Sequence, residues 1–292
     1  MRGVAVLLEA MRPRQWVKNL LVFVGPFFGQ RLNTTAGVIE SLWAFASFCV
    51  VASATYLIND IVDIETDREH PDKRRRPLAS GRLSVPTARL AAVGLCAVGL
   101  GSAFVLSTGF GCVLLGYLAM TLAYSRWLKH VIIVDLLVLT AGFLLRAAAG
   151  AIVAGVAMSD WFLICTTFLA LFVAINKRRH ELLLLEADAH NHRPVLAEYS
   201  SHLLDQMSSV VTACVIMSYA LYTVAPETLA KFPHAELLKY STVCVLFAVF
   251  RYMHLVYNKD QGGKPEQLLL SDRPMLVNFL VFVAITVAVV YR

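Results

Sequence analysis

Residues 36–58, AGVIESLWAFASFCVVASATYLI, carry no charge after Glu40 and pass directly into Asn59-Asp60-Ile61-Val62-Asp63-Ile64-Glu65-Thr66-Asp67-Arg68. The first part is long and apolar enough for a membrane-crossing helix, which needs about 20 such residues. The second part therefore gathers acids at a membrane edge. If the helix continues through residues 56–67 at about 100° per residue, Tyr56, Asn59, Asp60, Asp63 and Asp67 share one face and Glu65 points away. Acids at a helix C-terminus oppose the helix dipole. A solvated helix end paired with the basic run Lys73-Arg74-Arg75-Arg76 would be the bland explanation. The clustering of oxygen ligands on one face favours a metal and diphosphate site instead.

Outward from that edge, the 292 residues are 58% apolar with a mean hydropathy of +0.65, which marks an integral membrane protein. Apolar windows recur at 16–30, 36–58, 87–107, 109–124, 131–155, 160–175, 206–224, 236–257 and 274–291. The expectation is an all-α membrane protein of about nine transmembrane helices. With the N-terminus inside, 21 of the 26 Lys and Arg residues fall in inner segments and 4 in outer ones, with Arg146 inside a span. By the positive-inside rule the acidic face looks into the cytoplasm; the membrane expected is a plasma membrane of bacterial type. Val4, Leu7, Leu8 and Met11 recur at helical spacing, as in a short helix lying at the interface. The six cysteines sit in apolar windows without Cys-x-x-Cys spacing and read as small buried hydrophobes. His190 and His192 have no cysteine or acid beside them at zinc-ligand spacing. No basic patch interleaved with aromatics points to nucleic acid.

No polar linker divides the chain, so residues 1–292 read as a single helical domain with two large cytoplasmic connections, about 59–86 and 176–205. The connections resemble each other: Ile58-Asn59 is matched by Ile175-Asn176 and Arg76-Pro77 by Arg193-Pro194, both at an offset of 117. A duplicated helical half-unit would explain this. Where the first connection carries Asp63 and Asp67, the second carries His180 and Leu184, flanked by Lys177, Arg178 and Arg179.

Hard cations such as Mg²⁺ take carboxylate and amide oxygens, often completed by substrate phosphates and water. Cations stand at the ends of other helices as candidate anion receptors. Arg14 and Lys18 lie four apart on a helix that Pro13 can start. Alone they would read as interfacial anchors, and Lys129, after the fourth window, could snorkel. Arg146 lies roughly 22 Å down a helix that begins at Val131, and so deep a guanidinium is costly. It requires a later helix start or break, or a polar cavity with an anionic partner. Asp135, eleven residues earlier on the same face, makes a structural ion network a competing account. No Gly-x-x-x-x-Gly-Lys-Ser/Thr loop and no His-Glu-x-x-His motif is present. Group transfer from a metal-bound diphosphate suits this inventory.

At Asn59-Asp60-x-x-Asp63-x-x-x-Asp67-Arg68, followed by Lys73 to Arg76, Pro77, Ala79 and Gly81, the chain resembles the UbiA-type intramembrane prenyltransferase superfamily. Arg12-Pro13-Arg14-Gln15-Trp16-Val17-Lys18-Asn19, Asp67-Arg68-Glu69-His70-Pro71-x-Lys73-Arg74, Leu128-Lys129-His130 and Leu145-Arg146-Ala147 are similar to its polyprenyl-phosphate phosphoribosyltransferase branch. The resemblance implies nine helices around a central cavity open to the cytoplasm and laterally to lipid. It implies transfer of 5-phosphoribosyl from phosphoribosyl diphosphate to a decaprenyl-like polyprenyl phosphate, with release of diphosphate, in cell-envelope synthesis. Typical prenyltransferases carry a second Asp-x-x-x-Asp motif after the sixth helix, and residues 176–205 lack it. One acidic motif with extra cations suits a single metal-bound donor and an anionic acceptor.

By the same resemblance, Asn59 and Asp63, with Asp67 direct or through water, hold Mg²⁺. Lys18 and Tyr56 contact the donor, and Lys73, Lys129 and Arg146 the acceptor phosphate. Asp60, Arg68 and Lys177 orient groups or balance charge. The expected partners are phosphoribosyl diphosphate, polyprenyl phosphate and the lipid bilayer, with a homo-oligomer permitted. Two alternatives compete: a prenyltransferase joining a prenyl diphosphate to an aromatic or other small acceptor, and a non-catalytic lipid-binding or transport protein.

Overall fold

A computed structural model describes residues 2–184, 194–232, 234–259, 268 and 271–291. His190, His192 and Arg193, and with Arg193 half of the second Arg-Pro match, lie outside the described residues. The helices pack as two compact units, residues 1–157 with 188–197 and residues 158–187 with 198–292.

In the first unit, α1 (Arg2–Met11) precedes a 3-10 helix (Pro13–Phe23), α2 (Val24–Phe28), α3 (Thr35–Val62), α4 (Ile64–Glu69), α5 (Val85–Leu106), α6 (Thr108–Arg126) and α7 (Val134–Ala154). Thr34 starts α3 by accepting a hydrogen bond from the Gly37 amide. Its 28 residues make a rod about 42 Å long, longer than the ~30 Å apolar core of a bilayer. The last two turns, with Tyr56, Asn59 and Asp60, can thus stand clear of it. Ser107 ends α5 and caps α6, so these two helices reverse on one residue. The exits of α3 and α6 and the entries of α5 and α7 consequently lie at one end of the unit. Phe48, Phe110, Leu114 and Tyr117 fill the middle of its core, while Ala10, Leu57, Leu78 and Ala88 fill that end. Leu90, Val93, Val98 and Val105 form an exposed stripe along α5, the apolar face that lipid would cover.

The second unit holds α8 (Asp160–Leu184), α9 (Ser201–Val224), α10 (Pro226–Lys231), α11 (Leu238–Lys259) and α12 (Arg273–Tyr291). Tyr219 and Ser241 hydrogen bond at 2.7 Å between α9 and α11. The Asn278 amide donates to the Cys244 carbonyl at 2.9 Å, tying α12 to α11.

Eight helices among the described residues are long and apolar enough to cross a membrane: α3, α5, α6, α7, α8, α9, α11 with the turn before it, and α12. The protein is a multi-pass membrane protein. The window at 16–30 is not a long α-helix but the 3-10 helix followed by α2. At about 2.0 Å per 3-10 residue and 1.5 Å per α residue, the two pieces still reach about 30 Å. Three residues per turn place Trp16, Asn19 and Val22 on one face. Trp16 donates to Ser53 at 3.1 Å and Asn19 to Cys49 Sγ at 3.2 Å, while Val22 enters the core. Residues four apart on such a helix diverge by about 120°, so Arg14 and Lys18 do not share a face as an α-helix would have them.

The same segment lies so close to α7 that a Cβ on Gly150 would stand 1.9 Å from the Val22 carbonyl oxygen, and one on Gly25 2.5 Å from the Ala151 nitrogen. Both positions exclude side chains. In α1, Val6, Leu7 and Ala10 pack inward while Val4 and Leu8 stay exposed. Of the interfacial residues, Leu7 thus belongs to the protein side. All six cysteines are unbridged, and Cys112 is exposed rather than buried.

Candidate active site

At the crowded end of the first unit, α3 stops at Val62, with Asp63 as its C-cap at φ −95°, ψ 11°. The chain resumes at once in α4, whose Asp67 amide donates to the Asp63 carbonyl at 2.8 Å. The acidic face therefore bends at Asp63 and separates into two clusters.

In the first, Asp63 Oδ2 accepts from the Asn59 amide at 3.0 Å and Oδ1 pairs with the Lys129 ammonium. Asn59 Oδ1 accepts from Ser125 Oγ at 3.0 Å. Ser125 lies in the last turn of α6, and the 3-10 turn Leu128–His130 that follows brings Lys129 back to α3.

The second cluster is an ion lattice around Asp60, 1% exposed, and Asp67, 3% exposed. Arg76 bridges them, bonding Asp60 Oδ1 at 3.2 Å and Asp67 Oδ2. Arg12 also pairs with Asp60 Oδ1 and lies over the Tyr56 ring, 5.1 Å from its centroid. Asp60 Oδ2 is buried without a hydrogen-bond partner. Arg12 adopts a left-handed conformation, φ 54°, which costs roughly 1–2 kcal/mol for a residue with a Cβ. The turn it makes between α1 and Pro13 points its guanidinium at Asp60. Burial raises the Asp67 carboxyl pKa, against the opposing pull of Arg76 and Lys73.

The remaining predicted residues divide. Lys73 lies near enough to Asp67 to act on its carboxyl. Lys18 is half-buried and Arg14 exposed on the 3-10 helix. Arg68 is exposed and turned to Glu65, which does point away from the cluster. Arg76, rather than Arg68, thus supplies the charge balance. In the second unit, Arg178 and Arg179 pair with Glu181 and Asp205. Lys177 is half-buried and makes no ion pair among the described residues.

Arg146 is 6% exposed. Its helix begins at Val134, and its guanidinium is held by neutral groups. Nε donates to Asn19 Oδ1 at 2.8 Å, and the terminal nitrogens donate to the Gly142 carbonyl at 2.6 Å and the Tyr117 hydroxyl at 2.9 Å. The Tyr117 and Phe48 rings lie 4.8 and 5.5 Å away. Cation–π contacts of this kind strengthen when desolvated. Among the described residues no carboxylate pairs with Arg146, so the competing account, an ion network with Asp135, is not its support; Asp135 is itself fully buried.

Arg12, Arg76, Ser125, Asn19 and Tyr117 are the site residues that sequence reasoning passed over. The repeated Arg-Pro step at Arg76-Pro77 is a signal that sets Arg76 apart from its basic run, and the structure buries Pro77 and Leu78 where Arg76 turns inward.

Among the described residues no three His, Cys, Asp or Glu side chains converge as a ready-made metal cage. The Asn59–Asp63 pair nevertheless fits a hard cation. Its donors are a carboxylate and an amide oxygen, and the carboxylate already holds a cation, the Lys129 ammonium.

The chain is 38% identical to a decaprenyl-phosphate phosphoribosyltransferase of Corynebacterium glutamicum, over 98% of this chain and 86% of that protein. It is 34% identical to the Mycobacterium tuberculosis protein of the same name, over 96% and 93%. Among solved structures, a UbiA homolog from Archaeoglobus fulgidus bound to GPP and Mg²⁺ superposes with a TM-score of 0.73, covering 98% of this chain and 100% of that one at 20% identity. The UbiA prenyltransferase family pattern spans residues 21–290; with the acidic bend at Asp63 and the helices that carry it falling inside that span, the chain belongs to the UbiA prenyltransferase family.

Proposed function

We propose that the protein transfers 5-phosphoribosyl from phosphoribosyl diphosphate to a polyprenyl phosphate of the decaprenyl type, at the cytoplasmic face of a bacterial plasma membrane, with its N-terminus inside. The observation that carries this reading is the end-to-end likeness to decaprenyl-phosphate phosphoribosyltransferases. The likeness to the GPP-bound protein, at 20% identity, speaks to fold alone. The absence of a second Asp-x-x-x-Asp motif between residues 176 and 205 supports one diphosphate-bearing substrate rather than a prenyl diphosphate site of the ordinary kind.

In the reaction a phosphate oxygen of the lipid attacks ribose C1 as the C1–O bond to diphosphate breaks, and the bonding pair leaves with the diphosphate. The acceptor needs no strong base, because a phosphate monoester carries about −1.5 to −2 charge at neutral pH. Asn59 and Asp63 would hold Mg²⁺, which when bound neutralises the departing diphosphate. Lys18 and Tyr56 position the sugar phosphate, and Lys73 and Lys129 receive the acceptor phosphate. Asp67, expected beside the metal, is instead engaged by Arg76, and Asp60, Asp67, Arg12 and Arg76 form an ion lattice at the end of α3. Arg146, expected at the acceptor phosphate, has its guanidinium engaged by Asn19, Gly142 and Tyr117, and so holds Asn19 and the 3-10 helix that carries Lys18. In-line attack inverts C1.

Purified protein with Mg²⁺, phosphoribosyl diphosphate and a long polyprenyl phosphate should form a phosphoribosyl lipid, detected by mass spectrometry. Geranylgeranyl diphosphate with a small aromatic acceptor should give no product. Turnover of the second pair and not the first would replace this reading with the prenyltransferase one, and turnover of neither would favour a lipid-binding role.

A further inference from the structure

The Asn59–Asp63 pair is already satisfied by groups of the chain itself. Asp63 uses one oxygen for Lys129 and the other for the Asn59 amide. The Asn59 oxygen is taken by Ser125. An ammonium is a point charge with three donors, so Lys129 offers Asp63 what a small hard cation would offer. Lys129 arrives from α6 through a short turn, and its side chain is 12% exposed where it meets Asp63. That contact is largely shielded from water and correspondingly strong.

The Asn59 amide is reversible at little cost. The Ser125 hydroxyl can donate or accept. Turning the amide about therefore keeps the Ser125 bond while taking the NH₂ from Asp63 and freeing the amide oxygen. In the described arrangement both internal donors face Asp63; in the reversed one, two oxygens do the receiving.

We propose that Lys129 is an exchangeable internal counter-ion: it holds Asp63 while the site lacks a divalent cation, is displaced when one binds, and is thereby released to meet the anionic acceptor. This rests on the reading of Asn59 and Asp63 as the metal pair. Loading of metal and readiness for the acceptor then become one event. An acceptor phosphate arriving before the metal finds Lys129 engaged, which orders metal before acceptor without any large motion.

The exchange is tested on the full chain without either substrate, with Mn²⁺ as the probe, by following free Mn²⁺ in an electron paramagnetic resonance titration. Lys129→Met keeps the length of the side chain and removes the competing charge, and should bind Mn²⁺ about ten-fold more tightly. Lys129→Arg keeps the charge and should bind as the wild type does, which separates competition from damage to the fold. In parallel, acetylation of Lys129 read by mass spectrometry should rise when Mn²⁺ is added to the wild type and not in Asp63→Asn. Mn²⁺ binding that Asp63→Asn abolishes but Lys129→Met leaves unchanged would overturn the exchange alone. Binding equal in wild type and Asp63→Asn would overturn the metal reading and the exchange with it.

Discussion

Asn59 and Asn176 stand at matching points of the two units, each preceded by isoleucine and each near the end of a long helix entering a polar connection. Each also bonds a serine on a neighbouring helix, Asn59 to Ser125 at 3.0 Å and Asn176 to Ser208 at 3.1 Å. The likeness ends there. Asn176 is wholly buried and spends its amide on Ser208 and on the Phe172 carbonyl of its own helix at 2.8 Å. Asn59 is half-buried and spends its amide on an acid one turn on. An interhelical Asn–Ser clasp is thus the shared structural element, and an acid at the fourth position after it lets the first clasp hold a cationic side chain, Lys129. In the second unit that position is His180, and the neighbouring arginines are neutralised by Glu181 and Asp205.

If that contrast is right, breaking it from the acidic side should hurt chemistry most. Asp63→Ala should lower the rate of phosphoribosyl-lipid formation by at least about 10²-fold, the usual scale for removing one preorganised electrostatic group. Because the change also leaves the Lys129 ammonium and the Asn59 amide without their acceptor, the melting temperature should fall as well, so the rate is compared per folded protein. Next in size is Arg76→Met, which takes the ion-pair partner from buried Asp67 and leaves Asp60 to Arg12 alone; losing one partner of a buried ion pair costs about 3–5 kcal/mol. A thermal or denaturant unfolding series should report it, and Arg68→Met should leave stability within about 0.5 kcal/mol as an exposed pair does. Asn176→Ala should cost about 1–3 kcal/mol by leaving buried partners unmatched, while turnover by the folded fraction stays within roughly three-fold of wild type.

The smallest effect is expected far from the contrast, at the exposed pair that ties α1 to the first connection. Arg82 grips both Glu9 oxygens at 2.7 Å and holds the Glu9 carboxyl below its ordinary value of 4.5. Because the folded value is the lower one, the contribution is present above about pH 4.5 and lost as pH falls through the depressed value. Glu9→Gln should therefore lower stability slightly at pH 7 and flatten its acid dependence below pH 4.5, read from melting temperatures across pH.

Much of this was legible from residue patterns. Long apolar windows find α-helices because a bilayer crossing demands about 20 apolar residues in a row, and the acids stood out because they follow such a window. Hydropathy does not register helix type, so the 3-10 segment passed as an ordinary span, although Trp16, Asn19 and Val22 carry its three-residue period. The ion lattice was hidden for a different reason. Arg12 and Arg76 reach Asp60 across 48 and 16 residues, and contacts of that range leave no periodic trace. Nor could spacing tell that Arg146 would be matched by an amide, a carbonyl, a hydroxyl and aromatic rings rather than by an acid.

The central claim is that the donor's diphosphate is held at the clasp that carries an acid and not at the one that lacks it. Isothermal titration of phosphoribosyl diphosphate with Mg²⁺ into wild-type, Asn59→Ala and Asn176→Ala protein tests it most directly. The prediction is binding weakened at least about ten-fold in Asn59→Ala and retained in Asn176→Ala; equal affinity in wild type and Asn59→Ala, or loss confined to Asn176→Ala, would contradict it.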